Sequence, residues 1–192
     1  MSLSLEQLVA VARLYWPTPE SSEQDSSLEH SPEAMRLYEL WEQKLKEIAR
    51  WWTFLDGLRT ELPGLVVGDA TATPDACFRC VAHPSGAQSE SAPYWSIVGC
   101  LSIIAPVHTV YGVQFERHER RRVFQELDLE LRRSETRGPA DVMARRLESE
   151  FGSKLLSAEF ARVQVPLEVQ WKKPPRTLLF HALFTNEPEN LP

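Results

Sequence analysis

Two thiols and an imidazole stand at regular spacing in Cys77-Phe78-Arg79-Cys80-Val81-Ala82-His83, the pattern in this 192-residue chain most suggestive of chemistry. Cysteines two residues apart with a nearby histidine make half of a tetrahedral zinc site, and Cys100, His108 or His118 is available as a fourth ligand. Structural zinc sites bring a second close pair of ligands, which this sequence lacks. A strand over 76–82 would also turn Cys77 and Cys80 to opposite sides. The expectation is therefore reduced, metal-free cysteines and no cofactor. Nucleophilic chemistry needs a Ser or Cys, a histidine base and an orienting acid, and Cys100 with His108 or His181 supplies the first two on paper. No Gly-x-Ser-x-Gly, phosphate-binding glycine loop or His-Glu-x-x-His accompanies them. Glu116 and Glu119 stand beside Arg117, Arg120, Arg121 and Arg122, where compensation of charge explains them better than acid–base work. The reading is of a protein that is not an enzyme, with a Cys/His enzyme or a structural zinc protein as the rivals.

The elements that carry these residues centre on residues 91–115, which hold no Asp, Glu, Lys or Arg. Pro106 divides the stretch, because proline has no N–H for a central ladder. Tyr94 to Ile104 is a nearly continuous apolar run, and Val107 to Phe115 alternates with period two, so the two halves predict a central β-hairpin. Interspersed Pro, Ser, Gly, His and Gln exclude a membrane span. Before the hairpin, Ser4 caps a helix to Trp16. A polar stretch from Thr18 to His30 should be the least ordered internal segment. Ser31-Pro32-Glu33 then opens a helix expected to run to about Glu61, before Pro63-Gly64. Short strands are expected over 65–67 and 76–82. A half-buried strand should span 123–132, and a helix should follow Gly138-Pro139 to Phe151-Gly152. Strands over 163–169, shortened by Pro166, and 177–185 complete the chain. Two helices first and then strands with short connections predict an α+β fold. Its sheet should be mixed or mostly antiparallel, with about five to seven strands and the helices packed on one face.

A length of 192 residues fits a single domain over 1–192, with 1–30 as a helix plus flexible acidic loop and 31–192 as the main body. Three cysteines make no disulfide framework, and the first residues lack a basic segment followed by an apolar core, so the expected location is cytoplasmic. Net charge is −6, and residues 1–63 alone carry 11 acidic against 6 basic groups. That imbalance repels nucleic acid and favours a basic protein partner.

A helix closed by Phe151-Gly152, a segment with Val165-Pro166, and the apolar run Leu178-Leu179-Phe180-His181-Ala182-Leu183-Phe184 resemble, in layout over roughly the last 70 residues, bacterial immunity proteins that accompany polymorphic toxins. The resemblance implies a small cytoplasmic inhibitor that binds and blocks a cognate toxin, and it carries no binding residues over. The residues themselves suggest Glu23, Asp25 and Glu29 as acidic contacts, with Trp51, Trp52 and Phe54 as aromatic anchors, in a monomer or homodimer.

Overall fold

A computed structural model describes residues 3–22, 31–85, 94–118 and 121–191. The expected hairpin is its centre. Strand β3 (Tyr94–Ser102) turns through residues 103–106 into β4 (Val107–His118), with Leu101 opposite His108 and Tyr94 opposite Phe115. On either side lie β1 (Leu65–Asp69), β2 (Cys77–Pro84) and β5 (Arg121–Asp128), giving the antiparallel order β1-β2-β3-β4-β5. A two-residue strand, β6 (Lys154–Leu155), runs parallel to the start of β4 and completes a six-stranded sheet. The fold is α+β.

Helix α1 (Leu5–Ala12) begins at a reciprocal cap: the Gln7 backbone N–H donates to Ser4 Oγ, and the Ser4 N–H donates to Gln7 Oε1 at 2.8 Å. Pro19–Ser22 forms one helical turn, α2. Residues 23–30, including most of the stretch expected to be least ordered, lie outside the described residues. The single helix expected from 31 to 61 is two, α3 (Pro32–Leu45) and α4 (Ile48–Glu61), each of 14 residues. They are parted by a tight turn in which Lys46 and Glu47 donate to Gln43 and Lys44. Length explains the break. A straight helix over 31–61 would reach about 45 Å, longer than the roughly 40 Å of the twelve-residue β4, so one end would leave the core. The turn keeps both Trp41 and Leu58 buried.

Alternation sorts the sheet residues onto two faces. Cys80, Gly99 and Val110 lie in register on the face covered by α4 and by α5 (Ser134–Phe151), so these two long helices share a side, as expected. Gly99 is there for closeness. A Cβ at that position would stand 2.5 Å from the Met143 sulfur of α5. Helix α5 starts one turn earlier than its Gly-Pro signal suggested, because Pro139 in its second turn removes a bond only from exposed Glu135. Gly152, at φ +66°, closes it and donates its N–H to Glu148.

The opposite face is covered by the C-terminal segment, which is partly helical and packs on α1, so the helices are not confined to the one face expected. The Tyr111 ring meets Phe180 edge-on at 5.5 Å, and its hydroxyl donates to the Pro188 carbonyl at 3.1 Å. Residues 177–185, expected as the last strand, instead contain a short helix, α7 (Leu179–Leu183). The run is apolar all round, and periodicity cannot separate a strand buried on both faces from a short helix buried on all sides. Here α7 is enclosed between the sheet and α1, where the Trp16 indole donates to Ala182 O at 2.7 Å. Between β6 and α7, α6 (Ala158–Ala161) is capped by Ser157. The expected strand over 163–169 reduces to isolated bridges, Gln164 with Leu178 and Val169 with Lys172, since Pro166 supplies no donor. The strand expected over 123–132 ends at Asp128, whose carboxylate accepts from the Glu130 and Arg132 N–H groups and turns the chain away. One buried apolar cluster runs from Leu8 to Phe184, and no helix among the described residues is long and apolar enough to cross a membrane.

Candidate functional site

The cysteine and histidine positions do not converge. Cys80 faces α5, with its sulfur 3.8 Å from that of Met143, while Cys77 lies on the other face, the one that carries Cys100. His83 shares the face of Cys77 but is six residues along β2, roughly 20 Å away. Among the described residues no three His, Cys, Asp or Glu gather as ligands for a metal. Burial pushes the Cys77 and Cys80 thiols up, so both are held as thiols and not thiolates. Cys100 pairs with Thr109 across the hairpin whereas His108 pairs with Leu101, which puts Cys100 and His108 on opposite sides of the sheet. Both ring nitrogens of His181 are engaged, Nδ1 accepting from the Leu178 N–H at 2.9 Å and Nε2 standing 3.2 Å from Lys172 Nζ.

A serine that sequence reasoning passed over does meet a histidine. The Ser153 hydroxyl donates to Leu147 O at 3.1 Å, which leaves its oxygen to accept from His108 Nδ1 at 2.9 Å. Burial lowers His108 to about 4, with Glu148 opposing and Lys154 adding to the shift. The pair ties β4 to the end of α5. Ser153 also lines a cleft of about 320 Å³ between the α3–α4 turn, the β3–β4 turn and the end of α5. Trp51 and Phe78, stacked at 5.2 Å, and Phe151 form its aromatic wall, and Lys44, Glu47 and Arg50 stand around it. The Arg50 guanidinium lies 5.0 Å over the Phe151 ring and pairs with Glu150 at 3.8 Å.

The proposed aromatic anchors separate. Trp51 and Phe54 are 1% and 0% exposed, and the Trp51 indole donates to Asp69 Oδ1 at 2.8 Å, so these two are corrected from partner contacts to core. The reason is helical phase: Trp51, Phe54, Leu55 and Leu58 share the side of α4 that lies on β1 and α5. Trp52, one step round the helix, is 44% exposed. Glu23, Asp25 and Glu29 lie outside the described residues.

Exposure marks further positions that the sequence reading did not single out. On α3, Met35, Tyr38 and Leu45 are exposed, Tyr38 by 61%; Tyr38 and Leu45 stand at i−3 and i+4 from buried Trp41, so they border the buried stripe on one side. Glu39 and Glu42 flank them and make no ion pair with another described residue. Trp171 is 70% exposed at the tip of a turn closed by reciprocal Val169–Lys172 backbone bonds, with Gln170 at φ +53°. Hydrogen bonds stitch the two places together. Trp41 of α3 donates to Asp75 O and Gln170 donates to the adjacent Pro74 O, both at 2.8 Å, while Arg36 donates to the carbonyl of exposed Leu14. That α3 is helical was legible in the sequence. The exposure of Trp171 was not, because it depends on a turn that no periodicity announces.

Comparison with protein-family models, with curated proteins and with solved structures finds no match to this chain.

Proposed function

We propose that this is a non-catalytic protein-binding module whose contact surface is built on the outer side of α3 and continues to Trp52 and Trp171. The observation that supports the reading most is that large apolar side chains stand exposed on segments hydrogen-bonded to one another, beside the carboxylates of Glu39 and Glu42, which make no ion pair with another described residue. Tryptophan and tyrosine at such a place gain most when a partner desolvates them, and acidic groups beside them speed encounter with a basic surface. A basic toxin domain blocked by occlusion suits this chemistry, as the resemblance to immunity proteins implies, although the terminal strand that formed part of that resemblance is helical here. The protein should act in the cytoplasm, beside the product of a neighbouring gene.

The test is co-expression with the product of the adjacent gene, followed by co-purification at low and at high salt. Binding that weakens as salt rises, and that Tyr38→Ala and Trp52→Ala reduce, supports the proposal. A small substrate turned over by the isolated protein, with turnover abolished by Cys100→Ser or His108→Leu, would favour the Cys/His enzyme instead.

A further inference from the structure

The cleft at the α3–α4 turn has a charge arrangement that the protein-binding surface does not use. Its walls are apolar and aromatic: Trp51, Phe78 and Phe151, closed on one side by the backbone of the β3–β4 turn. Its volume of about 320 Å³ falls at the small end of the range for ligand pockets, roughly 300–1,000 Å³. Of the charged side chains that line it, Arg50 is already compensated by Glu150 and rests on the Phe151 ring. Lys44 and Glu47 are different. They line the same cleft from the same turn, yet they make no ion pair with each other or with any other described residue. One cation and one anion with no ion-pair partner among the described residues therefore border an apolar cleft whose more accessible wall is Phe151, Ile104 and Pro106, with Trp51 and Phe78 behind it at 1% and 7% exposure.

We propose that this cleft binds a small aromatic zwitterion, of which a free aromatic amino acid is the simplest case. Its carboxylate meets Lys44, with the Arg50 guanidinium alongside. Its ammonium meets Glu47, and its ring packs against Phe151 and the β3–β4 turn at Ile104, with Trp51 and Phe78 beneath. A carboxylate with an apolar body but no ammonium leaves Glu47 unpaired, and an amine with no carboxylate leaves Lys44 unpaired. Each lacks one charge-assisted contact that the zwitterion makes, so the site discriminates by the pair of charges and not by the ring.

The probes are L-phenylalanine, phenylacetate and phenethylamine, each titrated to about 10 mM into the full ¹⁵N-labelled chain. The signals to follow are the Trp51 indole N–H and the backbone amides of residues 103–105, with Trp51→Phe identifying the indole. Saturable shifts at these positions with phenylalanine are expected, and binding of the two single-charge probes should be weaker by about fivefold or more. Lys44→Gln should weaken phenylalanine and leave phenethylamine unchanged. Glu47→Gln should weaken phenylalanine and leave phenylacetate unchanged. Both substitutions are at surface positions, and an unperturbed spectrum elsewhere shows the variants folded. No saturable shift with phenylalanine, or equal binding of all three probes, would overturn the proposal. The outcome is independent of whether any protein partner binds α3.

Discussion

Trp51 and Trp52 are adjacent in the chain and opposite in role, and one helical step of about 100° separates them. Trp51→Ala and Phe54→Ala, which empty buried volume, are each expected to cost about 3–5 kcal/mol in equilibrium denaturation, whereas Trp52→Ala should stay within about 0.5 kcal/mol. The order should reverse when binding is measured. Adjacent tryptophans could not both face the core, and the sequence marked a wide apolar stripe without marking its edge. Phase relative to the sheet decides the edge, and phase is set by which residues β1 and α5 present to α4. The histidines add a second prediction at this scale. Burial lowers His108 and His181 from the ordinary 6.5 to about 4. As pH falls below 6.5 the unfolded chain takes up these protons first. Stability contributed by each histidine is therefore full above pH 6.5 and declines through pH 4, by at most about 1.4 kcal/mol per pH unit. Asp75, whose carboxyl burial raises, works in the opposite direction at the acid end. His108→Leu isolates the histidine contribution: its denaturation midpoint should vary less steeply between pH 4 and 6.5 than that of the wild type.

At the scale of elements, the hairpin β3–β4 was legible because both its signals are local. A charge-free stretch, a period of two after Pro106 and a proline at the turn suffice to place it. Helices α3 and α4 were legible as helical but not as two, since no Gly or Pro stands at Lys46-Glu47 and the break answers to the length of the sheet. The C-terminal run from Leu178 to Phe184 was legible only as buried. Its conformation follows from what encloses it. One close approach tests how the layers pack. Gly99→Ala would put a methyl group 2.5 Å from the Met143 sulfur and 3.1 Å from that of Cys80, so the Met143 side chain has to shift within the core. A loss of about 1–3 kcal/mol is expected, and Met143→Ala in the same chain should recover part of the clash while adding a cavity.

Across the whole molecule the C-terminal segment acts as the cover of the second sheet face, held there by a buried cation. Arg79, 5% exposed, donates to Ala70 O at 2.9 Å, to Glu187 O at 3.1 Å and to Thr185 Oγ1, and pairs with Asp75 at 3.8 Å. Removing one partner of such a pair leaves the other buried without compensation, so Arg79→Gln is expected to cost about 3 kcal/mol or more. Hydrogen exchange should quicken first at residues 185–187, the part of the cover that Arg79 holds. Stability and binding then separate in space: the charged staple and the core lie on the sheet, and the exposed aromatics lie outside it on α3, α4 and the Trp171 turn. Nothing in the local sequence joins Trp171 to α3, because the connection runs through Pro74 and Asp75, almost a hundred residues away from the turn. The candidate site was accordingly half legible, by its helix and not by its turn.

Calorimetric titration of the adjacent gene's product into the wild-type chain and into the Tyr38→Ala/Trp52→Ala double variant tests the central claim most directly. The account predicts wild-type binding that weakens with salt, a loss of about tenfold or more in the double variant, and an unfolding midpoint that the substitutions leave in place. Undiminished affinity in the double variant, or no binding by the wild type, would contradict it.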